Sequence, residues 1–478
     1  MQKAHFGMIG LGTMGRNFLL NIAEHGIAGV GYDLDATKRA LLLQEGKGMP
    51  VDVGSDLADF LAKLESPRNI MMLVPAGPIV DSVIADLVPH LDEGDLIIDG
   101  GNSHFTDTDR READLSAKNV GFMGVGVSGG EAGARHGASI MPGGKREFYD
   151  RVEATLQAVS AKVDGDPCVA YMGATSAGHF VKMVHNGIEY GLMEIISEAY
   201  DYMKRVLKKD DAAMSATFAE WNSKELSSFL IEITATVLAK TDEDGRPLVE
   251  IILDTAGQKG TGKWTSQAAM DFGVPVPTID SAVSMRQISA QKKTRGIVSA
   301  KYNVPNSVPD PQTPSQESLE DLRSALFCAF IITYTQGMAL LQAASIEKNY
   351  GLDLGETAKI WRGGCIIRSA LLEEMRSAYS KDPVLSSLLL DDKFASILSK
   401  HADSLRRTVA SFVANGMPAM CFSSVLAYFD AFRTERLPAN LIQAQRDYFG
   451  AHTYLRIDKE GIFHTSDWEV AVALGGEK

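Results

Sequence analysis

One segment of the sequence places five chemically different polar side chains at helical spacing. Between residues 178 and 190, apolar residues cover one side of a predicted helix. At about 100° per residue, an arc of about 140° on the opposite side contains Lys182, His185, Asn186, Glu189 and Tyr190. A polar network between packed helices or an ordinary solvated face would also produce a polar stripe. The mixture of a lysine, an imidazole, an amide, a carboxylate and a phenol favours proton transfer.

Two of these residues suggest a particular acid and base chemistry. Oxidation of a secondary alcohol requires that the hydroxyl proton be removed as hydride leaves, and a lysine with a lowered pKa can remove it. Lys182 is therefore the predicted general base. If the product is a β-keto acid, loss of carbon dioxide leaves an enediol that must be protonated at carbon. Glu189 lies on the same helix face and is the predicted general acid.

A glycine-rich turn predicts a dinucleotide site. The run Gly10-Leu11-Gly12-Thr13-Met14-Gly15 follows a predicted strand and opens a predicted helix. Glycines there permit a tight turn and let a pyrophosphate approach the helix N-terminus, whose free N–H groups favour anions. A turn without a ligand is the alternative. The flanking strand and helix, and an acid downstream, favour the nucleotide site.

That acid is Asp33, which lies at the end of the second predicted strand, where a carboxylate binds the adenosine ribose hydroxyls. A carboxylate at this position repels a 2′-phosphate. Lys38 and Arg39 follow and would partly offset the repulsion, or they belong to a solvated helix face. The sequence therefore favours NAD without excluding NADP.

Two further loops follow predicted strands and are expected to line the same crevice. They are Val74-Pro75-Ala76-Gly77 and Asp99-Gly100-Gly101-Asn102-Ser103. Ligands of doubly wound sheets bind outside the carboxyl ends of the strands. Asn102 is predicted to contact both the nicotinamide and the substrate.

A second glycine-rich run, residues 254–265, has the spacing of a P-loop but lacks its context. Trp264 stands where a Ser or Thr would hold magnesium, and no predicted strand precedes the run. We therefore reject a nucleotide triphosphatase. Lys259 of this run, with Arg286 and Arg446, is a candidate for binding one phosphate monoester.

The elements that position these residues suggest an α/β domain followed by an all-α domain. Short apolar runs alternate with helical stretches in the first third, which predicts a Rossmann-type doubly wound sheet. Its predicted strands include His5–Gly10, Ala28–Tyr32, Ile70–Val74, Leu96–Asp99 and Gly121–Val125. Helical periodicity then dominates to Arg433, and from Leu437 a polar and aromatic tail follows the last helix. We predict a dinucleotide-binding domain at 1–177, a helical substrate and dimerisation domain at 178–434, and a tail at 435–478.

Composition excludes several classes of function. The 478-residue chain carries a net charge of −14 without a basic run, so we expect no nucleic-acid partner and no membrane association. Its four cysteines lack metal-ligand spacing, and no signal peptide is evident, which favours a reducing cytoplasm and no metal. The longest apolar run, Ala325–Tyr334, is far short of the roughly 20 residues that span a bilayer and predicts a buried core helix.

Across nearly its whole length the chain closely resembles the decarboxylating 6-phosphogluconate dehydrogenases. The strings that carry the resemblance are GLGTMG, DGGNSHF, GVGVSGGEAGARHGASIMPGG, KMVHNGIEY, AGQKGTGKWT and LPANLIQAQRDYFGAHTY. The resemblance implies oxidation and decarboxylation of 6-phosphogluconate to ribulose 5-phosphate in the pentose phosphate pathway, with reduction of NADP and without a metal. It also implies a homodimer in which each C-terminal tail penetrates the partner subunit.

The resemblance assigns roles residue by residue. Lys182 matches the general base and Glu189 the general acid. The substrate positions are Asn102, Ser128, Gly129, Gly130, His185, Asn186, Tyr190, Lys259 and Arg286. Arg446 and His452 match substrate-binding residues that come from the neighbouring subunit.

Departures from the family pattern lie at the cofactor. NADP-using members have Ala at the position of Gly12 and an Asn-Arg-Thr run where this chain has Asp33-Leu34-Asp35. Pro75 replaces the family's common lysine. All three departures weaken the expected grip on a 2′-phosphate and again favour NAD.

Two rival functions share some of these features. A 3-hydroxyisobutyrate-type dehydrogenase has the glycine-rich start and the helical lysine but is shorter and acts on unphosphorylated acids, which Lys259, Arg286 and the tail argue against. A non-catalytic NAD(P)-binding or redox-sensing protein would not need both Lys182 and Glu189.

Overall fold

The computed structural model describes residues 3–302 and 316–468, with side chains from 318 onward in the second range. Seven strands form one sheet in the order β3-β2-β1-β4-β5-β6-β7. They are β1 (Phe6–Ile9), β2 (Gly29–Tyr32), β3 (Val51–Val53), β4 (Asn69–Met72), β5 (Leu96–Asp99), β6 (Gly121–Ser128) and β7 (Ser139–Gly144). The first six are parallel, and β7 pairs antiparallel with β6.

Helices cover both faces of this sheet. They are α1 (Thr13–Glu24), α2 (Ala36–Glu45), α3 (Leu57–Ala62), α4 (Pro78–Leu87), α5 (Phe105–Ser116), α6 (Gly130–His136) and α7 (Arg146–Val159). Alternate strand residues enter separate apolar clusters: Met71 packs into one cluster, and its neighbours Ile70 and Met72 into the other. A sheet buried on both faces requires apolar side chains at successive positions, which is why these strands are continuous apolar runs.

The predicted Rossmann-type sheet is confirmed, and the five predicted strands are β1, β2, β4, β5 and β6. Two further strands of the sheet were not predicted. β3 is only three residues long, and β7 contains Pro142 and two glycines. A proline is tolerated in β7 because this strand lies at the edge of the sheet. A short hairpin of β8 (Lys162–Val163) and β9 (Asp166–Pro167) follows.

In the described residues, helices dominate 177–302 and 316–432, as predicted. Its helices are α8 (Ala177–Arg205), α9 (Asp211–Asn222), α10 (Phe229–Ala239), α11 (Leu248–Ile251), α12 (Thr261–Asp271), α13 (Pro277–Ser289), α14 (Lys292–Lys301), α15 (Gln316–Lys348), α16 (Leu354–Ile360), α17 (Leu371–Lys381), α18 (Asp392–Ala414) and α19 (Met420–Phe432). Short 3₁₀ turns occur at Val88–His90 and Leu388–Leu390.

Helix α15 contains the apolar run that we predicted to be a buried core helix. Within the described residues, Ser318–Lys348 has the length and apolar composition of a membrane span, but 94% of its most apolar window is buried inside the protein. The core helix of a globular protein meets the same criteria, so this is weak evidence for a span. The burial confirms a core helix.

The chain divides into two compact units, Met1–Val425 and Leu426–Lys478. The three predicted domains stay a prediction; α8 begins at Ala177, beside the first proposed boundary. The expectation that the helices end before Leu437 is wrong, because α20 (Ala439–Gly450) follows, then β10 (Tyr454–Leu455) and β11 (Ile462–Phe463). Asp447 holds this second unit together by accepting hydrogen bonds from Thr453 N, Thr465 N and Trp468 Nε1.

Candidate active site

Glycines bring helix α8 unusually close to strand β6. A Cβ on Gly126 would collide with the Cβ of Lys182, and a Cβ on Gly124 would lie 2.7 Å from Nδ1 of His179. Gly178 in turn meets the backbone of β6 and β7. Because side chains alternate along a strand, Gly124 and Gly126 lie on the same face of β6. This close contact places Lys182 beside the carboxyl end of β6.

The polar stripe of α8 forms one connected set of side chains. Nζ of Lys182 lies 3.4 Å from Nδ1 of His185, which lies 3.1 Å from Oδ1 of Asn186 and 3.8 Å from Oε2 of Glu189. Lys182 is 6% exposed and Glu189 21%. The predicted base and acid are therefore both largely buried, and both lie close to Nδ1 of His185.

Burial changes the pKa of both predicted catalytic residues in the direction that their roles require. Burial lowers the pKa of Lys182 below its usual range, although the nearby Glu189 carboxylate opposes this. Burial raises the pKa of Glu189, although the cations of Lys182 and Arg286 oppose this. Desolvation disfavours the charged form of each group. The pocket thus favours a neutral amine and a protonated carboxyl.

The imidazole between them stays neutral. Burial and the charge of Lys182 hold the pKa of His185 well below its usual range. Its Nε2 lies 3.4 Å from Oγ of Ser128, and Trp361 packs edge-on against the ring with centroids 5.7 Å apart. His185 thus contacts Ser128 and Trp361, and it connects Lys182 to Ser128 at the end of β6.

The loop after β6 approaches a segment that the sequence did not predict to be near the site. Gly129 adopts a φ of +113°, and a Cβ there would lie 2.5 Å from the carbonyl oxygen of Gly364. Gly130 also has a positive φ, with open space where a side chain would be. A backbone free of side chains leaves room for a ligand beside Ser128.

The missed segment is residues 361–365, which packs against the site from the end of α16. Cys365 donates its thiol hydrogen to the carbonyl of Trp361, and burial raises the pKa of this thiol to about 12 even though Lys182 is nearby. The thiol is therefore protonated and inert near neutral pH. No motif marks this segment, and it is far from α8 in sequence, so spacing alone could not have found it.

Arg286 on α13 meets the far end of the polar stripe. Its guanidinium carbon lies 3.7 Å from the ring centroid of Tyr190, and the side chain is 5% exposed. The same tyrosine ring occupies the space beside Gly262, at the start of α12. Tyr190 therefore links the catalytic helix to Arg286 and to the second glycine-rich run.

The nucleotide fingerprint has the geometry that its glycines predict. Gly10 has a φ of +88°, and a Cβ on Gly15 would collide with the carbonyl oxygen of Gly10. Gly12 caps α1 without a side-chain hydrogen bond and faces open space. The backbone between Gly10 and Gly15, with Leu11, Thr13 and Met14, therefore presents an open helix N-terminus that fits a pyrophosphate.

Asp33 is fixed against this turn by backbone hydrogen bonds. Its carboxylate accepts from Leu11 N at 2.8 Å and from Asp35 N at 2.9 Å. Lys38 lies 3.4 Å from the same carboxylate, and Arg39 donates to the Asp33 carbonyl. Both nearby cations thus contact Asp33. This arrangement fits a ribose with free hydroxyls.

A cavity of about 370 Å³ adjoins Asp33. Among its lining residues are Gly10, Tyr32, Asp33, Leu34, Val74, Asp86 and His90. Asp86 and His90 were not predicted, because they lie at and beyond the end of α4, where no motif marks them. Leu34 lines the cavity and its side chain is exposed. Asp35 is the N-cap of α2, where its carboxylate accepts a hydrogen bond from Thr37 N.

The two strand-end loops lie at the same edge of the sheet. β4 ends at Met72, so Val74, Pro75 and Ala76 belong to the loop that follows it. In the other loop, the buried carboxylate of Asp99 accepts from Gly101 N at 3.0 Å and from Ser103 Oγ at 2.6 Å. These bonds fix the residues on both sides of Asn102, whose side chain is exposed.

Three predicted substrate-binding residues have no described contact with the polar side chains of α8. Lys259 is exposed on the loop that precedes α12. The element before this loop is helix α11 and not a strand, which agrees with the rejection of a P-loop. Arg446 and His452 belong to the C-terminal unit, where Arg446 donates to Gln443. Within residues 3–302 and 316–468, no group of three or more His, Cys, Asp or Glu could hold a metal.

Two family models together match most of the chain. Residues 5–173 match the family model of the NAD binding domain of 6-phosphogluconate dehydrogenase, and residues 178–468 match that of the 6-phosphogluconate dehydrogenase C-terminal domain. A Bacillus subtilis relative named 6-phosphogluconate dehydrogenase, NADP(+)-dependent, decarboxylating is 50% identical, over 98% of this chain and 100% of its own length. A decarboxylating 6-phosphogluconate dehydrogenase from Mus musculus is 48% identical, over 98% and 97%.

A solved structure gives the same result. The 6-phosphogluconate dehydrogenase of Plasmodium falciparum superposes with a TM-score of 0.94 at 44% identity, covering 96% of this chain and 99% of its own. Matches of this length and identity rule out the 3-hydroxyisobutyrate-type assignment. The chain belongs to the 6-phosphogluconate dehydrogenase family.

Proposed function

We propose that the protein oxidises and decarboxylates 6-phosphogluconate to ribulose 5-phosphate and carbon dioxide, with reduction of a nicotinamide cofactor. The observation that carries the proposal is that Lys182 and Glu189 are both largely buried and both lie close to Nδ1 of a neutral His185. Their pKa shifts favour the neutral amine of Lys182 and the protonated carboxyl of Glu189. Relatives at 50% and 48% identity bear the name of this activity.

In the oxidation step, Lys182 removes the proton of the substrate hydroxyl. Burial lowers the pKa of this amine and so favours the neutral form that a general base needs. A bound nicotinamide would accept the hydride from the same carbon. The amine of Lys182 holds this proton until the decarboxylation step.

In the decarboxylation step, protonated Lys182 returns its proton to the keto oxygen as the β-keto acid loses carbon dioxide, which leaves an enediol and a neutral amine. Glu189 then donates its proton to carbon while Lys182 removes the enediol hydroxyl proton, which gives the ketone. The raised pKa of Glu189 favours the protonated carboxyl that this step needs. His185, Asn186 and Ser128 position the sugar acid between these groups. Arg286, held over the Tyr190 ring, supplies a charge-assisted contact for the phosphate, with Lys259 from the adjoining loop.

For the cofactor, we infer that NADP is used and that NAD is preferred. The name of the Bacillus relative and the description of the Plasmodium structure in complex with its cofactor NADP+ support NADP. The preference for NAD rests on Asp33, whose carboxylate lies next to the glycine-rich turn and is contacted by Lys38, while Arg39 donates to the Asp33 carbonyl. A 2′-phosphate there would meet a negative charge. The protein needs no metal in this scheme.

We also propose a homodimer with exchanged C-terminal tails, in which Arg446 and His452 complete the partner's substrate site. The C-terminal unit exposes large apolar side chains that a second copy would cover. These include Leu441, Phe449, Leu455, Ile457 and Ile462. Exposed apolar surface of this extent is typical of an interaction site. A cytoplasmic location stays a prediction.

Turnover of 6-phosphogluconate by the purified protein tests the proposal. We expect reduced nicotinamide to accumulate, with equimolar carbon dioxide, when either NAD or NADP is supplied, and kcat/KM to be higher for NAD. A lack of reduction with both cofactors would rule out the enzymatic proposal and favour a non-catalytic nucleotide-binding protein. A strong preference for NADP would show that the role given to Asp33 is wrong.

A further inference from the structure

One buried cation contacts both strand-end loops. Arg111 on α5 is only 2% exposed. Its Nε donates to Oδ1 of Asp81 at 2.9 Å, and its Nη2 donates to Oδ2 of Asp81 and to the carbonyl of Gly77, both at 3.0 Å. Gly77 ends the loop that carries Val74–Ala76. Arg111 therefore holds the cofactor-side loop at its junction with α4.

The same guanidinium also holds the loop that carries Asn102. Its Nη1 donates to Oγ of Ser103 at 3.3 Å and lies 3.5 Å from Oδ2 of Asp99. Asp99 is fully buried and accepts from both Gly101 and Ser103. The residues on either side of Asn102 are thus tied to one buried ion pair.

Helix α5 also contacts the catalytic helix α8. Thr108, one turn before Arg111, lies 2.6 Å through Oγ1 from Nδ1 of His179. Nε2 of His179 lies 3.1 Å from the carbonyl oxygen of Asp99. His179 is three residues before Lys182, so the two loops, α5 and the catalytic helix share one continuous hydrogen-bonded network.

A guanidinium transmits position better than an isolated charge. Its donors point in fixed directions in one plane, so it cannot follow a shift of Gly77 and Asp81 without changing its bonds to Ser103 and Asp99. Water does not compensate easily, because the group and Asp99 are buried. Ordering of one loop should therefore order the other.

We propose that Arg111 is a positioning residue that couples these two loops, so that the nicotinamide cofactor and the phosphorylated sugar acid each bind more tightly when the other is bound. The identity of the two ligands rests on the proposed function. Such coupling is reciprocal between two binding sites.

Calorimetric titration of 6-phosphogluconate into the full-length protein, with and without saturating reduced cofactor, measures the coupling directly. Reduced cofactor is used because it cannot accept hydride, so the ternary complex does not react. For the unchanged protein we expect the dissociation constant of 6-phosphogluconate to fall by about 5-fold or more when the cofactor is present. In Arg111→Lys, which keeps the charge but loses the planar fork, we expect the ratio to approach one.

Two further variants separate coupling from loss of structure. Arg110→Met is the matched control, because Arg110 is adjacent, exposed, and also pairs with Asp81 at 2.9 Å; it should keep the ratio of the unchanged protein. Ser103→Ala removes one contact of Arg111 together with the hydrogen bond from Ser103 to Asp99, and it should lower the ratio part of the way, so it decides the question if Arg111→Lys does not fold.

The proposal is overturned if the unchanged protein shows a ratio of one, or if Arg111→Lys or a folded Ser103→Ala keeps the full ratio. Failure of the proposed function gives a different result, because 6-phosphogluconate would then not bind to the unchanged protein at all.

Discussion

At the scale of single residues, burial moves the pKa of Lys182 and that of Glu189 in opposite directions. Each shift brings the group toward the protonation state that its role needs. Because the two groups interact through the same pocket, they titrate as a pair. The neutral His185 between them adds no charge of its own near neutral pH.

This arrangement predicts a bell-shaped dependence of kcat/KM on pH. Activity should rise as the pH passes the lowered pKa of Lys182, because the neutral amine is the base. It should fall as the pH passes the raised pKa of Glu189, because the protonated carboxyl is the acid. The two limbs report the pair rather than either residue alone.

Glu189→Gln should remove one limb of the pH profile and reduce turnover by about 10²–10⁴-fold, the usual contribution of a general acid. The matched control is Glu194→Gln on the same helix, whose carboxyl pKa is also raised by burial; it should keep both limbs. A Glu189→Gln profile with both limbs intact would assign the acid to another group.

At the scale of elements, small residues on β6 and α8 set the position of the catalytic lysine. Gly126 is the decisive contact, because its missing Cβ leaves room for Lys182. The next strand residue on the same face, Ser128, then reaches His185. Strand β6 and helix α8 together therefore position Lys182 and His185 of the polar stripe.

Gly126→Ala should therefore cost about 1–3 kcal/mol of stability through overpacking, and it should lower kcat by displacing Lys182. Gly296→Ala on α14 is the control, because a Cβ there meets no atom within 4 Å. Thermal unfolding and steady-state kinetics on both variants measure the effect. Unchanged stability and turnover in Gly126→Ala would show that α8 does not depend on this close contact.

Much of this architecture could be predicted from local sequence. Apolar runs marked β1, β2, β4, β5 and β6, and the stripe on α8 marked the catalytic face. The edge strand β7 could not be recognised, because Pro142 and its glycines are atypical of strands. The contacts of Trp361 and Arg111 could not be predicted either, because they depend on tertiary packing between segments that carry no motif.

At the scale of the whole molecule, the proposed homodimer assigns parts of each active site to different chains. Lys182 lies in the first compact unit, and Arg446 in the C-terminal unit. If the tails exchange between subunits, each site combines Lys182 of one chain with Arg446 of the other. Oligomers commonly build shared sites in this symmetric way.

Subunit mixing tests this arrangement. Lys182→Met and Arg446→Ala chains should each be nearly inactive alone. After denaturation and refolding together in equal amounts, about one quarter of the sites should be intact, because half of the dimers are mixed and each has one complete site. A mixture that regains no activity, although both variants dimerise, would argue against tail exchange.

Single-turnover hydride transfer in Lys182→Met tests the central claim most directly, since the proposed reaction begins with proton removal by this amine. We expect the variant to bind 6-phosphogluconate within a few-fold of the unchanged protein, while the rate of nicotinamide reduction falls by about 10²-fold or more. Lys204→Met, on the same helix and paired with Glu250, should react normally. Near-normal hydride transfer in Lys182→Met would contradict the role of Lys182 as the base.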